Sequence, residues 1–242
     1  MTNSKKIKNP IFVIMRREVK SYFSSPIAYI VAGLFVGASG FLFFNTFFLA
    51  NRAELRNFFS LLPILFSFFI PALTMRVFSE EKKSTSIETL LTLPVTVTDV
   101  VLGKFLASFI SGLSLLAPSL FYAATCFIFG SPDLGPMIAS YLGSFFLLAA
   151  FCSIGLFASA TTKNQIVAFF IAFSICIVLS ILSNFAIFLP DLLVRPVAFL
   201  SSTNHFDSIS RGIIDTRDIV YFVSLTLIFI LLTIRSIKGG QE

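Results

Sequence analysis

Six apolar runs of about 20 residues each dominate the 242-residue chain. A helix of about 20 apolar residues crosses the hydrocarbon core of a bilayer, whereas a barrel strand shows about ten residues of alternating polarity. The runs here are continuous, so a barrel is rejected. They predict an all-α polytopic membrane protein with six transmembrane helices, at residues 27–50, 58–78, 100–129, 137–160, 165–189 and 219–234. The third run is long enough to bend at Pro118. Composition points the same way: 56% of residues are hydrophobic and only 12% charged, against about 25% charged in a soluble domain. A water-soluble core of this size cannot hide that much apolar surface. Residues 1–242 therefore read as a single membrane domain.

The charges set an expected orientation. With residue 1 inside, thirteen Lys and Arg fall on the inner side and five on the outer, while the acidic residues split six and six. Basic residues retain loops on the cytoplasmic side, so both termini are expected there. The net charge of +6 is explained by this bias and needs no nucleic-acid partner. Cys126, Cys152 and Cys176 lie in apolar runs and read as small core residues. No cleaved signal peptide is expected, because the first apolar run, Ile11 to Met15, is short and is followed at once by Arg16 and Arg17.

Three shorter stretches carry helical patterns of their own. In residues 9–25, Ile11, Ile14, Met15, Val19, Tyr22 and Phe23 share one side, and Arg16, Arg17 and Lys20 lie mostly on the other. That is the pattern of an in-plane interfacial helix, with Pro26 as a break before the first span. At residues 84–93, Thr85 and Glu88 can form a capping box. Ile87, Leu90 and Leu91 then cluster on one side, and Pro94 ends the helix. Thr96 or Thr98, followed by Asp99, starts the next one. The product is a short stiff amphipathic helix between two spans, shaped to fill a groove in a soluble partner or to rest on headgroups. The outer loop, residues 190–218, predicts two short outer-leaflet helices. One is marked by Leu192, Leu193, Val197 and Leu200. The other is marked by Phe206, Ile209 and Ile213, opened by Ser202 or Thr203 and interrupted at Gly212.

The absent chemistry narrows the function. No ionisable residue falls mid-span, which disfavours ion-coupled transport. The single histidine, His205, has Asp207 nearby, but a triad needs side chains that converge. No phosphate-binding glycine loop is present, so energy for active transport must come from another subunit. No catalytic residue, metal site or cofactor is expected in the chain. Small-residue pairs at Gly33/Gly37 and Gly155/Ser159 permit close helix contact, within one subunit or between two.

The stretch FSEEKKSTSIETLLTLPVTVTDVVLGKFLA, Phe78 to Ala107, resembles the first cytoplasmic loop of ABC-2 type transporter permeases. The matching residues are Glu80, Glu81, Lys82, Thr85 or Ser86, Glu88, Leu90, Leu91, Pro94, Gly103 and Lys104. The family's usual Gly before the T-x-E stretch is replaced by Ser or Thr. GLFASATTKNQIVAF, from Gly155, is similar to the family's second cytoplasmic loop. NHFDSISRGIIDTRDIVYF, from Asn204, resembles the outer loop of the gliding-motility-associated permeases. The resemblance implies that residues 84–93 form a coupling helix. Ile87, Leu90 and Leu91 would dock in a separate ABC ATPase subunit, with Thr85 and Glu88 holding the helix start and Pro94 its end. It implies two ATPase copies that use ATP and Mg, and a second permease subunit forming a homodimer or heterodimer. It also implies a bacterial inner-membrane location, an export function and an outer gate containing His205, Phe206, Arg211, Gly212 and Asp215. The competing expectations are a secondary transporter or channel without an ATPase, and a membrane anchor for a surface machine.

Overall fold

A computed structural model describes residues 9–50, 55–84, 95–130, 132–188 and 190–239. The described residues are helical throughout, with no strand among them. Six helical stretches are long and apolar enough to cross a membrane.

Helix α1 spans Pro10–Phe23, with proline at its first position, where a missing N–H costs nothing. Its apolar side is used by the protein itself. Ile14 is buried and lies against Gly103, where an added Cβ would come within 2.9 Å of it. Part of the amphipathic pattern thus packs α1 on the third span, while Phe12, Val13 and Phe23 stay exposed. A short break at Ser24 and Ser25 precedes α2, Pro26–Ala50. Helix α3, Arg56–Thr74, contains Pro63 and Pro71, and a turn leads from it to α4, Ser79–Lys83.

The third span is interrupted at the proline its sequence carries. Helix α5, Val97–Leu116, ends just before Pro118, and α6, Ser119–Phe129, continues beyond it. A capping box formed by Thr96 and Asp99 starts α5, so Thr96 rather than Thr98 is the cap. Helix α7, Leu134–Thr161, begins at Asp133, whose carboxylate accepts from the Gly135 amide. Helix α8, Gln165–Ile181, is capped by Asn164 and passes into a 3₁₀ segment, Leu182–Phe188. Then come α9, Asp191–Leu200, α10, Ser202–Ser210, and α11, Thr216–Gly239. The residue preceding α10 is Ser201, not Ser202 or Thr203, and its side chain makes no capping hydrogen bond.

Helix α7 is the central post. It packs against α3, α5, α8, α10 and α11, and its most apolar window is 72% buried, against 22% for the fifth and sixth spans. Small residues make this closeness possible. A Cβ at Gly155 would lie 1.9 Å from Thr74 Oγ1, so α3 and α7 touch nearly backbone to backbone. The remaining core is filled by Phe35, Phe58, Phe59, Phe66 and Phe151. The three cysteines are buried and free, as their apolar settings imply.

Candidate functional site

The end of the bundle that carries α1 is organised by one buried cation. Lys104 sits two turns into α5, and its side chain is 0% exposed. A buried ammonium is costly unless each of its three donors finds an acceptor. Lys104 finds all three: Val77 O at 3.0 Å, Glu81 Oε1 at 2.8 Å and Glu18 Oε1 at 3.3 Å. The Phe78 ring lies beside it, 5.2 Å from Nζ. Arg17 adds a second cation, 2.8 Å from Glu18 Oε1 and 3.8 Å from Glu81 Oε1. Burial pushes the Glu18 carboxyl up, but Lys104 and Arg17 outweigh it and hold the group below its ordinary value. The network therefore ties α1, α4 and α5 at one point.

A second clamp holds α4 to the central post. The Phe78 and Ser79 amides both donate to Ser159 Oγ, at 2.9 and 3.0 Å, and Ser159 in turn donates to Met75 O at 2.9 Å. Lys82 Nζ donates to Ala160 O. The Gly155/Ser159 pair is thus spent on packing and bonding within the chain. The expected coupling residues Thr85, Ile87, Glu88, Leu90, Leu91 and Pro94 lie outside the described residues. Both flanks of that stretch are fixed: α4 by the two clamps, and the start of α5 by the Thr96/Asp99 box.

At the opposite end, the residues expected to form an outer gate separate into two groups. His205 and Phe206 are buried within the bundle, whereas Arg211, Gly212 and Asp215 lie in an exposed connection. Gly212 has φ +88, a left-handed turn that ends α10. Asp215 Oδ1 accepts from the Arg217 amide at 3.0 Å and so shapes the start of α11. Ile213 is exposed and does not continue the buried face of Phe206 and Ile209. That face rests on Gly143, where a Cβ would meet Ile209 at 3.1 Å and Phe206 at 3.3 Å.

The partner of His205 is Asp218 and not Asp207. Nδ1 lies 2.6 Å from Asp218 Oδ1, and Nε2 lies 2.8 Å from Phe199 O. Both ring nitrogens are therefore engaged, one by a carboxylate and one by a backbone carbonyl. Tyr221 stacks on the imidazole with ring centroids 4.1 Å apart, and its hydroxyl donates to Leu200 O at 2.7 Å. Thr203 donates to Ser180 O at 2.6 Å. Together these contacts lock α9 and α10 onto α8 and α11. Serine, histidine and aspartate do not converge as a nucleophile–base–orienter set, because both imidazole nitrogens are already engaged. Among the described residues no group of three potential metal ligands comes together.

These features define a multi-pass helical membrane protein whose spans are joined at one end by an ion network and at the other by a locked pair of short helices. The chain belongs to the ABC-2 family of transporter proteins, whose family model matches residues 11–237. No curated protein matches it. Membership makes it a membrane permease of the ABC-2 type, a family that associates with an ABC ATPase subunit. The roles of Lys104, Glu18, Ser159 and Asp218 are not legible in the sequence: Lys104 stands out there only as part of the family stretch, and Ser159 only in a small-residue pair.

Proposed function

We propose that this chain is the permease subunit of an ABC-2 exporter, driven by a separate ATPase through the segment 84–93. In this reading the segment lies on the cytoplasmic side of a bacterial inner membrane, as do both termini. Two ATPase subunits hold ATP and Mg and grip two such segments, one from each permease of a homodimer or heterodimer. Ile87, Leu90 and Leu91 enter the ATPase cleft. The subfamily that best fits the outer-loop sequence is the gliding-motility-associated permeases, and His205, Phe206, Arg211, Gly212 and Asp215 belong to its outer gate.

One observation carries the reading: the segment starts from a base fixed at two independent points. Lys104 joins α4 to α1 and α5, and Ser159 joins it to α7. A lever transmits force only if its root does not yield, and a stretch that merely rested on headgroups would need no such anchoring. The test is Leu90→Asp in the assembled transporter. It should abolish permease-stimulated ATP hydrolysis while membrane insertion and the mass of the permease assembly stay unchanged. Stimulation retained in that variant would overturn the reading.

A further inference from the structure

A cavity opens at the α1 end of the bundle, between the end of α1, the start of α2, the end of α3 and the middle of α5. It leaves about 690 Å³ of atom-free space, its mouth included. Its lining changes along its depth. Glu18, Arg76, Glu80 and Lys104 stand at the shallow end; Val31 and Ala72 lie further along their helices, toward the middle of the bundle. Serines 108 and 111 line the α5 wall one and two turns beyond Lys104.

The free valences of the rim identify what it can take. Lys104 has none, since all three donors are engaged. Arg76 uses Nη1 on Ser25 at 3.0 Å and Nε on Glu80 Oε2 at 3.3 Å, and its Nη2 has no partner among the described residues. Among the described residues Glu18 engages one oxygen only, and so does Glu80. The rim therefore offers one guanidinium edge and two half-free carboxylates, above an interior in which apolar side chains of α2 and α3 face the two serines of α5. A purely anionic headgroup would meet two carboxylates, and a purely cationic one would meet Arg76. A phosphate diester carrying a primary ammonium satisfies both signs at once, because the phosphate bonds to Arg76 and the ammonium donates to Glu80 and Glu18. This differs from the basic pockets that select anionic lipids. We infer that the cavity is a binding site for one zwitterionic aminophospholipid of the bilayer, headgroup at the rim and acyl chain along Val31 and Ala72.

The inference goes beyond the transport reading and does not depend on it, since its test involves no ATPase. The full chain, purified in mild detergent and delipidated, is titrated with phosphatidylethanolamine, phosphatidylglycerol or soluble phosphoethanolamine. Native mass spectrometry counts bound lipid, and thermal unfolding reads stabilisation. Phosphatidylethanolamine should bind one per chain and raise the midpoint, phosphatidylglycerol should bind roughly tenfold more weakly, and phosphoethanolamine should not substitute. Arg76→Gln should weaken phosphatidylethanolamine roughly tenfold, the effect of losing one charge-assisted contact. Glu80 is half-exposed, so Glu80→Gln should fold normally yet move the preference toward phosphatidylglycerol. Ala72→Leu should reduce lipid occupancy by filling the apolar end, with the lipid-free midpoint preserved. Equal binding of the two lipids, or undiminished phosphatidylethanolamine binding in Arg76→Gln and Ala72→Leu, would overturn the site. Full stabilisation by phosphoethanolamine alone would overturn the lipid and leave a soluble amphoteric ligand in its place.

Discussion

Lys104 shows why a charge can sit inside a protein this apolar. Its ammonium has three acceptors, and its two carboxylate partners receive a second cation from Arg17. Desolvation of such a group is offset only while the whole set stays together. Lys104→Met removes the centre and strands Glu18 and Glu81. The loss should be about 3–5 kcal/mol of stability by chemical denaturation in detergent. Adding Glu81→Leu to Lys104→Met should recover a good part of it, because the stranded charge is the main cost. The same network makes stability pH-dependent. Glu18 has a folded value held below its ordinary 4.5, so the folded state binds its proton less readily than the unfolded chain. Its contribution is complete above the unfolded value and is lost as the pH falls through the depressed folded one. Acid titration of the unfolding midpoint should therefore show a decline below about pH 4.5, and Glu18→Gln should flatten it.

At the scale of elements, the short outer helices are held by a few identifiable side-chain bonds added to their packing. Helix α10 depends on the His205–Asp218 bond and on the fit of Phe206 and Ile209 over Gly143. Asp218→Ala leaves a buried imidazole nitrogen without its partner, and local opening should follow. The readout is maleimide labelling of a cysteine introduced by Ser202→Cys, a position now fully buried. The native cysteines Cys126, Cys152 and Cys176 are themselves fully buried and give a low background. Labelling should quicken at least tenfold in Asp218→Ala, from the loss of roughly 1.5–3 kcal/mol of charge-assisted bonding. Unchanged labelling would mean that packing on Gly143 alone holds the helix. What the sequence disclosed and what it concealed divide along the same line. Continuous apolar runs declare spans because the period of burial is local, and Pro118 and Thr96/Asp99 declare a break and a cap for the same reason. Lys104 gave no such sign, since its acceptors Glu18 and Glu81 lie in other helices and a lysine near a helix start reads as facing headgroups. Asp218 falls at the end of the outer loop, and Asp207 is the aspartate nearest to His205 in sequence. The fold brings in the aspartate from α11 instead.

Across the whole molecule, burial is shared unequally among the spans. The second, third and fourth have windows 61–72% buried, whereas the first, fifth and sixth have 22–28%. The inner three therefore carry the packing, and the outer three present broad apolar faces to lipid or to other subunits. Glycines offer a direct measure of this division, because the same substitution should have opposite consequences in the two groups. At Gly155 an added Cβ would lie 1.9 Å from Thr74 Oγ1 and 2.8 Å from Thr74 Cβ. The hydroxyl could be removed, but the Cβ could yield only if α3 moved away from α7. Gly155→Ala should cost about 1–3 kcal/mol, the usual penalty for overpacking, and Thr74→Ala should rescue it only in part. At Gly33 and Gly37 nothing lies within 4 Å of the same atom. Alanine there meets no obstacle inside the chain and gains helix propensity of up to about 1 kcal/mol. The unfolding midpoints of Gly33→Ala and Gly37→Ala, measured on the isolated chain in detergent, should be unchanged or higher, while that of Gly155→Ala falls. A comparable fall in all three would mean that the first span packs within the chain as tightly as the fourth, and the division between inner and outer spans would be lost.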